Sequence, residues 1–311
     1  MRIVIFGAGG VGGYFGGRLA NAGEEVIFIA RGAHLHAIKE HGLRVDSIKG
    51  DFVVKPAKAS DDPSRVGKVD TIILGVKAWQ VPQAAQEIIP MVGEHTFVVP
   101  LQNGVDAPAQ LVEILGAEHV MGGLCQISAF IAGVGHIRHV GIEPYIAFAE
   151  LDNRPSQRAE SLRKSFEKAG VKAEIPTDIH RAMWQKFLFI ASISAVGALT
   201  RVPVGILRSL PETRHLLIDV MQEVVAVAQA HRVNLTLDSI DAKMAFIDSM
   251  PSDVIPSMQR DILEGRPSEL DALVGAILRK GEEVNIPTPL SSLIYQSLSP
   301  QELRARGEIT Y

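Results

Sequence analysis

A single ammonium group heads an otherwise uncharged run in WQKFLFIASISAVGALT, residues 184 to 200: fourteen residues follow Lys186 without a charged side chain. Two roles fit such a lysine. It can keep its head in water while its stem covers apolar surface, or it can sit at the edge of a dry pocket and give a proton to a reacting oxygen. The second role needs a reaction to serve, and the N-terminus supplies a candidate. GAGGVGG, residues 7 to 13, contains G-x-G-x-x-G as Gly7, Gly9 and Gly12, with Gly10 between them. It follows the apolar run RIVIF and opens a helical stretch, the context in which this spacing binds a dinucleotide. There the first glycine permits a tight turn, the second lets the backbone approach a pyrophosphate, and the third lets helix pack on strand. The helix N-terminus adds unpaired N–H groups and the positive end of the dipole. The plainer alternative is a glycine-rich turn with no ligand.

The residue near the end of the second strand selects the cofactor. A carboxylate there would hold the ribose 2′-hydroxyl of NAD, but the chain reads FIARG and places Arg31 instead. A guanidinium fork suits a 2′-phosphate, so NADP(H) is expected rather than NAD(H). Lys77 and Asn103 each follow an apolar strand, TIILGV and TFVVPL. Ligands of open parallel sheets sit beyond the carboxyl ends of the strands, so both side chains are placed to reach one. A solvated lysine and an ordinary Asn-Gly turn are the plainer readings. Glu269 stands in a first helical turn, where its charge meets the dipole favourably, and Ser257 follows Pro256 as a helix-start residue does. Neither acquires a chemical role from its position alone.

The ten histidines show no metal pattern; His136 and His139 fall three apart in a strand, on opposite faces. No metal site is expected. The one cysteine, Cys125, excludes an internal disulfide, favours a reducing compartment, and reads as a small buried residue.

These residues need a scaffold, and the pattern of the chain describes one. RIVIF, VIFIA, TIILGV and TFVVPL are short β-rich runs of the kind buried on both faces of a parallel sheet. Helical stretches such as GYFGGRLANAG and AWQVPQAAQEIIP lie between them, which is the order of βαβ units. Residues 124 to 149 read as further strands with glycine turns, SQRAESLRKSFEKAG as an amphipathic helix, and VKAEI as a last strand. After Pro176 the character becomes helical, with starts at Asp178, at Pro211, at a capping box from Ser268 to Asp271, and at Thr288-Pro289. The expected fold is an α/β Rossmann-type N-terminal domain, residues 1–176, that binds NADP, followed by an all-α C-terminal domain, residues 177–311, that carries the substrate chemistry.

Composition narrows the partners. With 31 Lys+Arg against 35 Asp+Glu, the chain offers no broad surface for nucleic acid or an anionic membrane. The apolar start ends in glycines too soon for a secretory core. The uncharged run after Lys186 is shorter than the ~20 residues that span a bilayer. A cytoplasmic protein acting on a small molecule is expected.

Taken together, the glycine loop, Arg31, VKAWQ with Lys77, LQNG with Asn103, the helix bearing Lys186 and the segment PSMQRDILEGRPSELDALVG resemble the ketopantoate reductases (2-dehydropantoate 2-reductases). The match runs along essentially the whole chain. It implies NADPH-dependent reduction of a 2-keto acid, giving pantoate for pantothenate and coenzyme A synthesis. It implies that Lys186 is the general acid, that Glu269 helps bind and orient substrate and lysine, and that Asn103 lies by the nicotinamide and substrate. It also implies that Ser257 contacts substrate and that Lys77 is a further binding residue. A homodimer is compatible with it. The chain departs from the family where asparagines commonly follow the lysine by one and two turns: here stand Ile190 and Ser194, the latter kept as a candidate substrate contact. Val254 replaces another asparagine. These exchanges motivate a second reading, a related reductase of a different keto acid. A non-catalytic NADPH-binding regulator is the third.

Overall fold

The computed structural model describes residues 1 to 310. The chain opens with β1 (Arg2–Phe6), α1 (Gly10–Asn21), β2 (Glu25–Ile29) and α2 (Gly32–His41), then three short strands, β3 (Leu43–Ser47), β4 (Phe52–Val54) and β5 (Lys58–Ser60). A second alternation gives β6 (Thr71–Leu74), α3 (Val81–Ile88), β7 (Phe97–Pro100) and α4 (Ala107–Leu115). A long hairpin, β8 (Met121–Gly133) and β9 (His136–Glu150), is followed by α5 (Gln157–Lys168) and β10 (Lys172–Glu174).

The four β-rich runs form four consecutive strands, β2-β1-β6-β7, of a five-stranded parallel sheet in the order β5-β2-β1-β6-β7. Alternate side chains point to opposite faces, and both faces are buried. Ile3, Ile5, Phe28, Ile73 and Val99 join one cluster with Phe15 of α1 and Phe166 of α5. Val4, Phe6, Ile27, Ile72 and Leu74 join another with Val81, Ala85 and Ile88 of α3. That is why the runs lack polar alternation. Strand order reverses between β2 and β6, on either side of β1, and such a switch point is where open α/β sheets bind ligands.

A second sheet runs β10-β9-β3-β4, with β8 antiparallel to β9. The strands β3 to β5 escape a reading by hydrophobic runs. In LRVDS only Leu43 and Val45 are fully buried, so its signal is a short alternation rather than an apolar block.

Residues 1–102 and 107–179 form one compact unit, and 103–106 with 180–310 form a second. The second unit is helical: α6 (Ile179–Thr200, its first residue counted with unit one), α7 (Val204–Ser209), α8 (Pro211–Ala230), α9 (Asp238–Ser249), α10 (Ser257–Leu263), α11 (Ala276–Glu283) and α12 (Pro289–Arg306). Its core packs Phe187, Leu188 and Val196 of α6 with Leu217, Met221 and Val224 of α8. At 22 residues α6 is longer than the uncharged run suggested, long and apolar enough to cross a membrane by length and composition. However, 67% of its most apolar window is buried inside the fold. It reads as a core helix.

The capping box expected from Ser268 to Asp271 is replaced. Ser268 Oγ accepts from Leu270 N–H and donates to Glu302, while Asp271 turns to Arg279 and Tyr295. The reason is local geometry: residues Asp271–Gly275 form a π-helical turn, which shifts the backbone spacing a capping box requires.

Candidate functional site

The loop after β1 is held by its backbone. Gly7 and Ala8 both donate N–H to Ile29 O at 3.2 Å, tying the loop to the end of β2. Gly7 adopts φ +98°, a region that favours glycine. A Cβ on Gly12 would lie 2.2 Å from Gly7 O, and one on Gly10 would lie 2.3 Å from Ala129 O. Neither position tolerates a side chain. Gly9 is different: a Cβ there meets nothing within 4 Å. It is the N-cap of α1, no side chain caps the helix, and its first turn holds no acidic residue. An open side over an uncapped helix N-terminus fits the diphosphate of a dinucleotide.

His34 was not singled out by the sequence, yet it braces this loop. Gly135 donates its N–H to His34 Nδ1 at 3.0 Å, so Nε2 carries the hydrogen and donates to Ala8 O at 2.9 Å. Its distance in sequence from Gly135 hid that role.

Arg31 is the N-cap of α2, with its side chain 65% exposed beyond β2. Its Nη2 donates to both carboxylate oxygens of Glu87, at 2.9 and 2.7 Å. Lys77 lies beyond β6, exposed, with Nζ over the Trp79 ring at 5.7 Å. Gln102, from LQNG, is buried and donates from Nε2 to Leu74 O and Val76 O, both at 2.9 Å. It thereby fixes the ends of β6 and β7 together, and part of the LQNG signal is structural.

In the helical unit, Asn103 Nδ2 donates to Glu269 Oε2 at 2.9 Å, and Glu269 is only 7% exposed. Arg279 holds the segment that carries Asn103. It bonds Asp106 at 3.1 Å and Asp271 at 2.8 Å, and Tyr295 donates to the same Asp271 oxygen. Gly104 lets this segment approach closely, since a Cβ there would lie 2.8 Å from Ala272 O. Burial and the Asp271 charge both hold the Tyr295 hydroxyl above its ordinary pKa, so it stays a hydrogen-bond donor at neutral pH.

Lys186 is half-buried on α6, and its ammonium makes no hydrogen bond or ion pair with the described residues. Ser257 is exposed at the start of α10. Ser194, expected as a substrate contact, is fully buried with its Oγ unpaired. Residues 191–198 of α6 are enclosed on every side, so the second turn after Lys186 points into the core. Gln259, within the Ser-Met-x-x-Asp segment, is also buried and donates to Val202 O at 2.9 Å. Asp261 of that segment binds Arg266. Much of that signature therefore serves the fold.

Comparison with known proteins agrees with this geometry. Residues 3–153 match the family model described as ketopantoate reductase PanE/ApbA, and residues 178–302 match its C-terminal counterpart. This chain belongs to the ketopantoate reductase family. It is 31% identical to a 2-dehydropantoate 2-reductase of Mesorhizobium japonicum over 93% of this chain and 94% of that protein. It is 29% identical to the uncharacterized oxidoreductase YkpB of Bacillus subtilis, over 97% and 99%. The crystal structure of a PanE/ApbA family ketopantoate reductase from Ralstonia eutropha JMP134 superposes with a TM-score of 0.88 at 34% identity, covering 98% of this chain and 100% of that one. As a member of the ketopantoate reductase family the chain is an oxidoreductase with a nicotinamide dinucleotide cofactor, and NADP dependence is the general property of the family. The α/β unit with its parallel sheet and the helical unit are the fold expected from the sequence.

Proposed function

We propose that this family member uses NADPH to reduce ketopantoate to pantoate, with Lys186 as the general acid. The observation that carries the proposal is the unengaged Lys186 ammonium at the head of a buried apolar helix. A structural lysine would find a carboxylate or hug the surface; this one keeps its protons available. NADPH, held by the glycine loop and Arg31, would supply the hydride that the keto carbon accepts. The C=O π pair then moves to oxygen, where Lys186 stabilises the developing charge and gives up a proton, leaving a 2-hydroxy acid. The lysine regains its proton from water.

The other residues take supporting roles in this reading. Gly7, Gly9, Gly10 and Gly12 shape the diphosphate loop, Arg31 meets the 2′-phosphate, and Lys77 adds positive charge beyond β6. Asn103, oriented by Glu269, keeps its Oδ1 and one N–H for a ligand. Ser257 offers a hydroxyl from the start of α10. Ser194 takes no part. In this reading the protein works in the cytoplasm.

A second reading rests on Ile190 and Val254, both partly buried against the helical core where the family commonly has amides. It makes the substrate a less polar 2-keto acid. A site that pairs a substrate's polar groups discriminates strongly through them, so losing those amides would loosen that selection. The deciding experiment follows NADPH absorbance with ketopantoate against a panel of 2-keto acids. Selective turnover of ketopantoate supports the first reading; turnover of an apolar keto acid alone supports the second. Oxidation of NADPH by none of them would leave a binding protein and defeat both.

A further inference from the structure

The Arg31 end of the parallel sheet holds more negative charge than a phosphate site requires. An open hollow of about 400 Å3 there is lined by Arg31, Asp61, Asp62, Ser64 and Glu87 among others. One cation thus shares it with three carboxylates. Asp61 and Asp62 follow β5, whose last residue, Ser60, accepts the N–H of Ala30 at 3.0 Å, so they stand beside the strand end that presents Arg31. Asp62 is turned onto Ser64 and Arg65. Glu87 is turned onto Arg31 itself, with both oxygens on Nη2, and is steadied by Gln83 Nε2 at 2.8 Å.

We propose that Glu87 is a specificity-determining residue: it competes with the cofactor's 2′-phosphate for Arg31 and so limits how strongly the chain prefers the phosphorylated dinucleotide. The proposal rests on the reading of Arg31 as the 2′-phosphate ligand. The charges decide its direction. A surface ion pair whose guanidinium is largely in water contributes little, so Glu87 adds little by steadying the guanidinium. A phosphate dianion that reaches Arg31 must either displace this carboxylate or sit close beside it, and like charges at such separations repel appreciably even in water. An uncharged binding partner, the bare 2′-hydroxyl, meets no such opposition and can bond a carboxylate.

Isothermal titration of the full-length protein with adenosine 2′,5′-bisphosphate and with adenosine 5′-monophosphate isolates this contact from hydride transfer. Glu87→Gln, which keeps an acceptor and removes the charge, is expected to tighten the bisphosphate about three- to tenfold while moving the monophosphate less than about twofold. Raising the salt should shrink that difference. Bisphosphate affinity that is unchanged or weaker in Glu87→Gln overturns the proposal, because Glu87 would then be inert or a support for Arg31. Arg31→Ala tests the underlying reading separately. It should abolish the preference for the bisphosphate and erase any effect of Glu87→Gln in the double variant. A preference that survives Arg31→Ala refutes the assignment of Arg31, whatever Glu87 does.

Discussion

In the loop after β1, position is a property of the backbone: Gly12 packs against Gly7 O, and Gly7 and Ala8 reach back to Ile29 within one βαβ stretch. In the helical unit, position is a property of side chains. Asn103 and Glu269 meet across 166 residues of sequence, and Arg279 ties Asp106 to Asp271 to keep them there. The first arrangement tolerates no added atom. The second tolerates exchange of atoms but not loss of a partner. Under the proposed function the rigid device meets the constant diphosphate, and the adjustable one selects the substrate.

The largest effect should come from the chemistry. Lys186→Ala is expected to lower kcat about 10²- to 10⁴-fold, the usual worth of a positioned acid, while the Kd for NADPH measured by titration stays near that of the parent. Unchanged turnover would end the general-acid assignment. Next, Gly12→Ala forces a methyl into Gly7 O and should cost about 1–3 kcal/mol of stability, as overpacking does, with a clear loss of NADPH affinity. A variant that binds NADPH normally would show that the loop is less rigid than the backbone contacts imply. The smallest effect separates charge from pairing in the helical unit. Asn103→Ala leaves a buried carboxylate short of a donor, a loss of about 1–3 kcal/mol, read as a lowered Tm. Glu269→Gln keeps an acceptor facing Asn103 and should lower Tm less. The reverse order would mean that the Glu269 charge, not its bond to Asn103, organises this region.

Much of this was legible because local rules act on local sequence. The glycine spacing, the β-branched runs and the helix starts at Pro211 and Thr288-Pro289 each state their own geometry, and the parallel sheet follows from the alternation of strands and helices. The strands β3 to β5 were not legible, since only two of the five residues in LRVDS face the core fully. His34 was missed because nothing near it in sequence reveals Ala8 and Gly135 as its partners. Ser194 looked available by helical spacing, yet spacing cannot say whether a second face of α6 is also covered. The Ser268 capping box failed because a π-turn follows it.

The sequence by itself determined the fold class, the tight glycine turn after β1 and the isolation of one lysine in an apolar helix, all of which depend on neighbours within a few turns or strands. Tertiary structure decided that Asn103 belongs with the helical residues, that Glu269 bonds it, that Ser194 is sealed, and that Arg31 is held by Glu87. Those facts depend on which distant groups meet, and long-range pairing is set by packing of whole elements rather than by any local pattern.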